Sequence, residues 1–271
     1  MPTFERHRLR LHYDVYPAAV PDAPWIALIP GLTASTRSFP WMVEHLQQTR
    51  NVVTFDPRGA GLTRPIEPGF TLADMADDLA ALLDDLDTGP VDVIGVSMGG
   101  MVAQELWHSH PRRVRRLVLC CSMPGRTLRQ RPTNRSIAKL VSALALLQAS
   151  GRGSKRAARM LSELLFAPST PIEVQRAFFT GRAPAPAPPM KGVVLQLLAS
   201  QGFRSADVLP RIDVPTLVAV GRGDALTPPV NSHVLADRIP GAELAEFDGG
   251  HLFFYENRDA FYPRLDAFLA T

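Results

Sequence analysis

The stretch that most constrains this chain is Gly95-Val96-Ser97-Met98-Gly99-Gly100. Before it stands Pro90-Val-Asp-Val-Ile94, short, apolar and rich in β-branched residues, as a buried strand requires. After it comes Met101-Val-Ala-Gln-Glu-Leu-Trp-His-Ser-His110, apolar at helical spacing and stopped by Pro111. The pattern predicts strand, sharp turn and helix, with a serine at the apex. Side chains at positions 95 and 99 would collide in so tight a turn, so both are glycine. The strained backbone lifts the Ser97 hydroxyl clear of the sheet, with a helix N-terminus behind it. Ser97 is therefore the candidate nucleophile.

The rest of the chain supplies a frame for that turn. Phe4–Leu11 and Leu11–Tyr16 alternate apolar with polar, as in a half-exposed antiparallel hairpin. Trp25–Ile29, Asn51–Phe55, Val114–Cys121, Val214–Val220 and Ala242–Phe247 read as further strands. Helices are expected from Ser35 to about Gln48, Leu72 to Leu86, Pro229 to Arg238 and Leu252 to Leu269. Strands alternating with helices imply a parallel sheet covered on both faces. The rhythm breaks after Ser122: Asn134–Ala149, Ser154–Phe166, Pro171–Thr180 and Met190–Gln201 read as four helices without a strand among them. The run of Ala and Pro over 183–189 should be extended and stiff. An α/β core over 1–122 and 207–271 is thus expected to carry a helical cap, or lid, over 123–206.

Charge divides along the same line. Residues 123–206 hold 13 Lys or Arg against only Glu163 and Glu173, whereas the whole chain nets +3. No aromatic interleaving accompanies the positive charge, so nucleic acid is not expected as a partner and solvated helix faces are the simpler reading. The excess still leaves room for a carboxylate on a substrate. No stretch reaches the roughly 18 apolar residues of a membrane span, and the N-terminus lacks the apolar core of a secretion signal. Cys120 and Cys121, the only cysteines, are adjacent and read as buried reduced thiols. A cytoplasmic protein is expected, with no metal and no cofactor. A homodimer through the cap is possible.

A serine hydroxyl needs a base, and the base needs an acid to orient it. Both should lie in loops at the C-terminal ends of later parallel strands, which share one edge of the sheet. The strand ending at Val220 leads into Gly221-Arg-Gly-Asp224, and that ending at Phe247 into Asp248-Gly-Gly-His251. Asp224 is the candidate acid and His251 the candidate base, in the chain order Ser, Asp, His. Asp248 competes as the acid, but its nearness in sequence makes the geometry awkward. His7 and His12 in the hairpin, and His45, His108, His110 and His233 on helix faces, are weaker bases. The oxyanion donors are expected to be the Met98 N–H and, after Ile29 and Gly31, the Leu32 N–H.

On Pro30-Gly31-Leu32, Asp56-Pro-Arg-Gly-Ala-Gly61, Gly95-Val-Ser-Met-Gly-Gly100, Gly221-Arg-Gly-Asp224 and Gly250-His251, the chain resembles the α/β-hydrolase superfamily. The nearest branch is that of esterases, enol-lactonases and cofactor-free haloperoxidase-like proteins with a helical cap. The resemblance implies a mostly parallel eight-stranded sheet. It also implies Ser97, Asp224 and His251 as the catalytic residues, Leu32 and Met98 as the oxyanion hole, and a structural role for Asp56 and Arg58. Serine in place of an aspartate nucleophile argues against epoxide-hydrolase or dehalogenase chemistry, and Leu252 after the histidine argues against carbon–carbon hydrolysis. The expected substrate is a small ester or lactone. Carbon–carbon hydrolysis, acyl transfer and a receptor that keeps the triad remain alternatives. Phe39, Met123, Phe178, Leu195, Leu226 and Leu252 are candidate pocket residues, as are Phe179 and Leu198.

Overall fold

A computed structural model describes residues 2–150, 154–180 and 188–271. The chain opens with β1 (Thr3–Arg6) and β2 (Leu9–Tyr16), an antiparallel hairpin pairing Thr3 with His12. Next come β3 (Trp25–Ile29), helix α1 (Pro40–Leu46), β4 (Asn51–Phe55), α2 (Leu72–Asp85), β5 (Val91–Val96), α3 (Met98–Ser109) and β6 (Val114–Cys120). Four helices follow: α4 (Asn134–Ser150), α5 (Lys155–Leu165), α6 (Ile172–Thr180) and α7 (Met190–Gly202). The core resumes with β7 (Thr216–Gly221), α8 (Val230–Arg238), β8 (Glu243–Phe247), α9 (Phe253–Glu256) and α10 (Arg258–Ala270).

The eight strands form one sheet in the order β1-β2-β4-β3-β5-β6-β7-β8. The hairpin joins it antiparallel through β2 and β4, and β4, β3, β5, β6, β7 and β8 run parallel. Every residue of β5 and β7 is buried, which is why these strands read as unbroken apolar runs. Leu79, Met101, Val102 and Leu106 of α2 and α3 pack on one face of the sheet. Met42, Phe254, Phe261 and Phe268 of α1, α9 and α10 pack on the other. With all six parallel strands aligned, the loops after β3, β5, β7 and β8 emerge at one edge, where the candidate site residues lie.

Two expected helices differ in extent. The first starts at Pro40 and not at Ser35, because Ser35–Ser38 closes on itself: Ser38 N–H donates to Ser35 O and Ser35 N–H to Ser38 Oγ. The helix expected over Leu252–Leu269 is two helices. Asn257 leaves helical geometry (φ −128°, ψ 54°) and separates α9 from α10. The Ala/Pro run lies outside the described residues at 183–187.

Candidate active site

The turn after β5 has the strain its sequence demands. Ser97 sits at φ 56° and ψ −117°, immediately before α3. Its N–H donates to Cys120 O, and its carbonyl accepts from Gly100 N–H and from the Ser122 hydroxyl. The glycines are needed for tertiary contacts as well as for the turn. A Cβ on Gly95 would stand 2.5 Å from Gly99 O, and one on Gly99 would stand 2.1 Å from Ile29 O. Helix α3 therefore runs backbone against backbone with the end of β3, and this presses the Gly31 loop against the serine. A Cβ on Gly31 would lie 3.3 Å from Ser97 Cβ.

That loop is a closed turn, with Ala34 N–H donating to Gly31 O. Its third residue, Thr33, is held at φ 62°, costly for a β-branched side chain. The compensation comes from α7, where buried Gln196 accepts the Thr33 N–H at 2.8 Å and donates to Arg58 O at 2.9 Å. Among the described residues the Leu32 N–H has no acceptor, and the Met98 N–H opens α3 with no intrahelical partner. Two donors thus stand beside Ser97.

His251 and Asp224, from the loops after β8 and β7, are both buried and joined by a 2.8 Å hydrogen bond between Nδ1 and Asp224 Oδ2. The other oxygen, Oδ1, accepts the Leu226 and Thr227 N–H groups at 2.9 and 2.7 Å, so neither oxygen is left without a donor. With a proton on Nδ1 shared with Asp224, Nε2 is the ring nitrogen left to accept a hydrogen bond. The rival acid is elsewhere: Asp248 has an 88% exposed side chain and pairs with Arg222. His12, set aside as a hairpin residue, is buried on β2 with Nδ1 on Pro2 O.

Cys121 follows β6 at φ 42° and places Sγ within 4.8 Å of ligand atoms of Asp224 and His251. These three are the one metal-like cluster among the described residues. They do not suit a resident ion, because Asp224 and His251 are already bonded to each other and burial pushes the Cys121 thiol well up, keeping it protonated.

Ser97 and His251 open onto a cavity of about 380 Å³. Phe39, Leu226 and Leu252 line it from the core side, with Leu144, Leu161, Leu165 and Phe178 from α4, α5 and α6. A second chamber of about 110 Å³ meets it at Leu32, Ser97, Leu140 and Leu226 and is lined by Met98, Met101 and Met123. Leu195, expected in the pocket, lines neither chamber: it is half-buried on α7, whose inward position at this level is taken by Gln196. Leu198 is 62% exposed. Asp56 and Arg58 serve structure: Asp56 accepts the Thr36 and Leu62 N–H groups, and Arg58 forks onto Asp78.

Two residues that sequence reasoning did not single out tie the four-helix segment to this site. One is Gln196, already described. The other is Glu256, whose Oε1 accepts Gly250 N–H at 2.7 Å while Oε2 accepts Ala167 N–H at 3.0 Å and the Thr170 hydroxyl. Aromatic packing of Trp41 and Tyr255 against Phe166 and Phe178 completes the joint. No helix of the described residues is long and apolar enough to cross a membrane.

Residues 24–258 match the alpha/beta hydrolase fold family. The chain is 32% identical over 243 residues to a poly(3-hydroxyalkanoate) depolymerase from Ectopseudomonas oleovorans, covering 85% of this chain and 78% of that protein. Among solved structures, a thermophilic esterase from Thermogutta terrifontis, with malate bound, superposes with a TM-score of 0.76 at 27% identity, over 97% of this chain and 93% of the esterase. The enol-lactonase of Burkholderia xenovorans LB400 gives 0.83 over the full length of both chains at 24% identity, a likeness of fold.

Proposed function

The chain belongs to the α/β-hydrolase fold family, and from that premise we propose that it is a serine hydrolase acting on a carboxylic ester or lactone through an acyl-serine intermediate. The observation that carries this reading is the buried His251–Asp224 pair at 2.8 Å, opening with the strained Ser97 onto one largely apolar cavity whose lining also holds Arg37 and Arg64. Ser97 Oγ attacks the carbonyl carbon while His251 Nε2 takes its proton. The Leu32 and Met98 amides hold the oxyanion, each such donor being worth roughly 3–4 kcal/mol in the transition state. The imidazolium, stabilised by Asp224, returns its proton to the leaving alkoxide. Water, activated by the same imidazole, then releases the acid and restores Ser97. Helices α4–α7 act as the cap, with α4, α5 and α6 walling the larger chamber. A depolymerase of hydroxyalkanoate esters among the relatives and an esterase among the structures favour ester chemistry.

The test is active-site labelling with a fluorophosphonate, run beside turnover of p-nitrophenyl and lactone substrates. Wild-type protein should label once per chain and turn over repeatedly. Ser97→Ala should do neither. Unchanged hydrolysis by Ser97→Ala would overturn the mechanism, and a single stoichiometric release of product by the wild type would make the protein a receptor.

A further inference from the structure

The smaller chamber contains a charge that no carboxylate of the described residues balances. Arg129 and Arg131 line it, as do Ser97 and Met98. The Arg129 guanidinium is half-buried, and its contacts are neutral: Nη1 donates to Ser200 O at 2.9 Å and approaches Met123 Sδ at 4.0 Å, and Nη2 donates to Gln201 Oε1 at 2.9 Å. Its Nε–H is fully buried and has no acceptor among the described residues. No carboxylate of the described residues lies within ion-pair distance of Arg129 or Arg131. Burial, with the charges of Arg131 and Arg126, holds the Arg129 guanidinium below its usual value. Two other half-buried arginines do have a counter-ion, Arg58 in Asp78 and Arg115 in Asp92. A part-buried cation without a counter-ion is costly unless a ligand supplies one.

The segment that carries the two arginines is fixed in place. Gln130, between them, is clamped by buried Asn231, which accepts its N–H at 2.7 Å and donates to its carbonyl at 2.9 Å. Upstream, Gly125 N–H donates to Ser205 Oγ and Arg126 N–H to Phe203 O. Residues 129 and 131 alternate around the clamped residue, and both face the chamber.

We propose that this chamber binds a carboxylate carried on the short arm of the substrate, so that the preferred substrate is an ester with one apolar arm in the larger chamber and one anionic arm against Arg129. This rests on the serine-hydrolase reading. About 110 Å³ is less than an engineered 150 Å³ cavity that holds benzene, so the short arm has only a few carbons. The larger chamber falls within the range of small-molecule pockets. The Arg129 and Arg131 guanidiniums, among methionine and leucine walls and without a carboxylate partner, suit a carboxylate.

The experiment uses two pairs of compounds that differ only in charge. Octyl hydrogen succinate is compared with octyl succinamate, and the octanoyl ester of 3-hydroxybutyrate with that of 3-hydroxybutyramide. The first pair places the anion on the acyl arm and the second on the alcohol arm. For at least one pair, kcat/KM for the acid should exceed that for the amide about tenfold or more, as a charged hydrogen bond implies. The ratio should fall to about one in Arg129→Gln and be partly restored in Arg129→Lys. Ser97→Ala protein, titrated calorimetrically with the same four compounds, should bind the acid of that pair more tightly than its amide. A wild-type ratio of one or less in both pairs, or a ratio kept in Arg129→Gln, overturns the proposal. If no ester is turned over, the hydrolase reading fails and calorimetry decides the anion site alone: tighter binding of an acid upholds it, and equal binding sinks it.

Discussion

Glu256 accepts the N–H of Gly250, the residue before His251, at 2.7 Å, and with its other oxygen takes Ala167 N–H at the end of the α5 segment. One carboxylate therefore sets the position of the loop that carries His251 and of the chain within the four-helix segment. A Cβ on Gly250 would meet Ala167 N at 2.6 Å, so the two strands of backbone are in direct contact there. Glu256→Gln keeps the shape but replaces one acceptor by a donor, leaving a part-buried N–H unpaired at a cost of roughly 1–3 kcal/mol. We expect the melting temperature to fall and kcat to drop roughly tenfold through displacement of His251, with fluorophosphonate labelling slowed in parallel. Full labelling rate in a destabilised variant would make Glu256 a joint of the fold only.

The assignment of the acid is tested by two substitutions of the same kind. Asp224 has both oxygens engaged in the buried loop, and Oδ2 holds His251. Asp224→Asn presents an amide to Nδ1 and favours the wrong imidazole tautomer, so turnover should fall by about 10⁴ with little change in structure. Asp248 is exposed and bonded to Arg222, so Asp248→Asn should stay within about twofold of wild type. Reversed results from steady-state kinetics would move the acid to Asp248.

What could be read from the sequence was whatever a few adjacent residues impose on one another. Gly95, Ser97 and Gly99 announce the turn because its strain is local, and β3 to β7 announce themselves because buried parallel strands are continuously apolar. The break at Asn257 was not legible, since Phe253–Ala270 is apolar at helical spacing across it. Nor was the late start of α1, which depends on Ser38 bonding to Ser35. Gln196 and Glu256 were invisible for a different reason: Gln196 reaches partners 163 and 138 residues away, and Glu256 reaches two that lie 89 and 86 away. Arg129 was legible only as one basic residue among 13. Its interest comes from the acid that folding does not bring to it.

Glu105 gives a pH-dependent prediction outside the site. Burial on α3, then the charge of Asp77, raises its carboxyl above the ordinary value. The folded protein therefore retains a proton that the unfolded chain has released, and stability falls as pH rises through that interval. Above it the penalty is complete. Glu105→Gln should accordingly be more stable than wild type at pH 7, by roughly 0.5 kcal/mol for a half-buried group. The difference should shrink as the pH is lowered to about 4, where the carboxyl is mostly protonated in the folded and the unfolded chain alike. Urea unfolding at pH 7 and pH 4 measures it, and a variant that is no more stable at pH 7 contradicts the sign.

Two glycines beside Ser97, Gly99 and Gly31, should fail in different ways when given a methyl group. At Gly99 the new Cβ would stand 2.1 Å from Ile29 O and 2.7 Å from Pro30 O. Both are backbone atoms at the end of a central strand, so α3 must lift off β3 to make room. Gly99→Ala should lose about 3 kcal/mol or more, and much of it should be insoluble. At Gly31 the new Cβ would stand 3.1 Å from Val96 O and 3.3 Å from Ser97 Cβ, contacts that a shift of a few tenths of an ångström relieves. That shift moves the Leu32 N–H, whose direction matters only when an oxyanion forms. Gly31→Ala should therefore fold with a melting temperature within about 4 °C of wild type, and kcat should fall about tenfold or more while KM barely changes. If Gly31→Ala instead keeps its full kcat, the Leu32 amide is not an oxyanion donor.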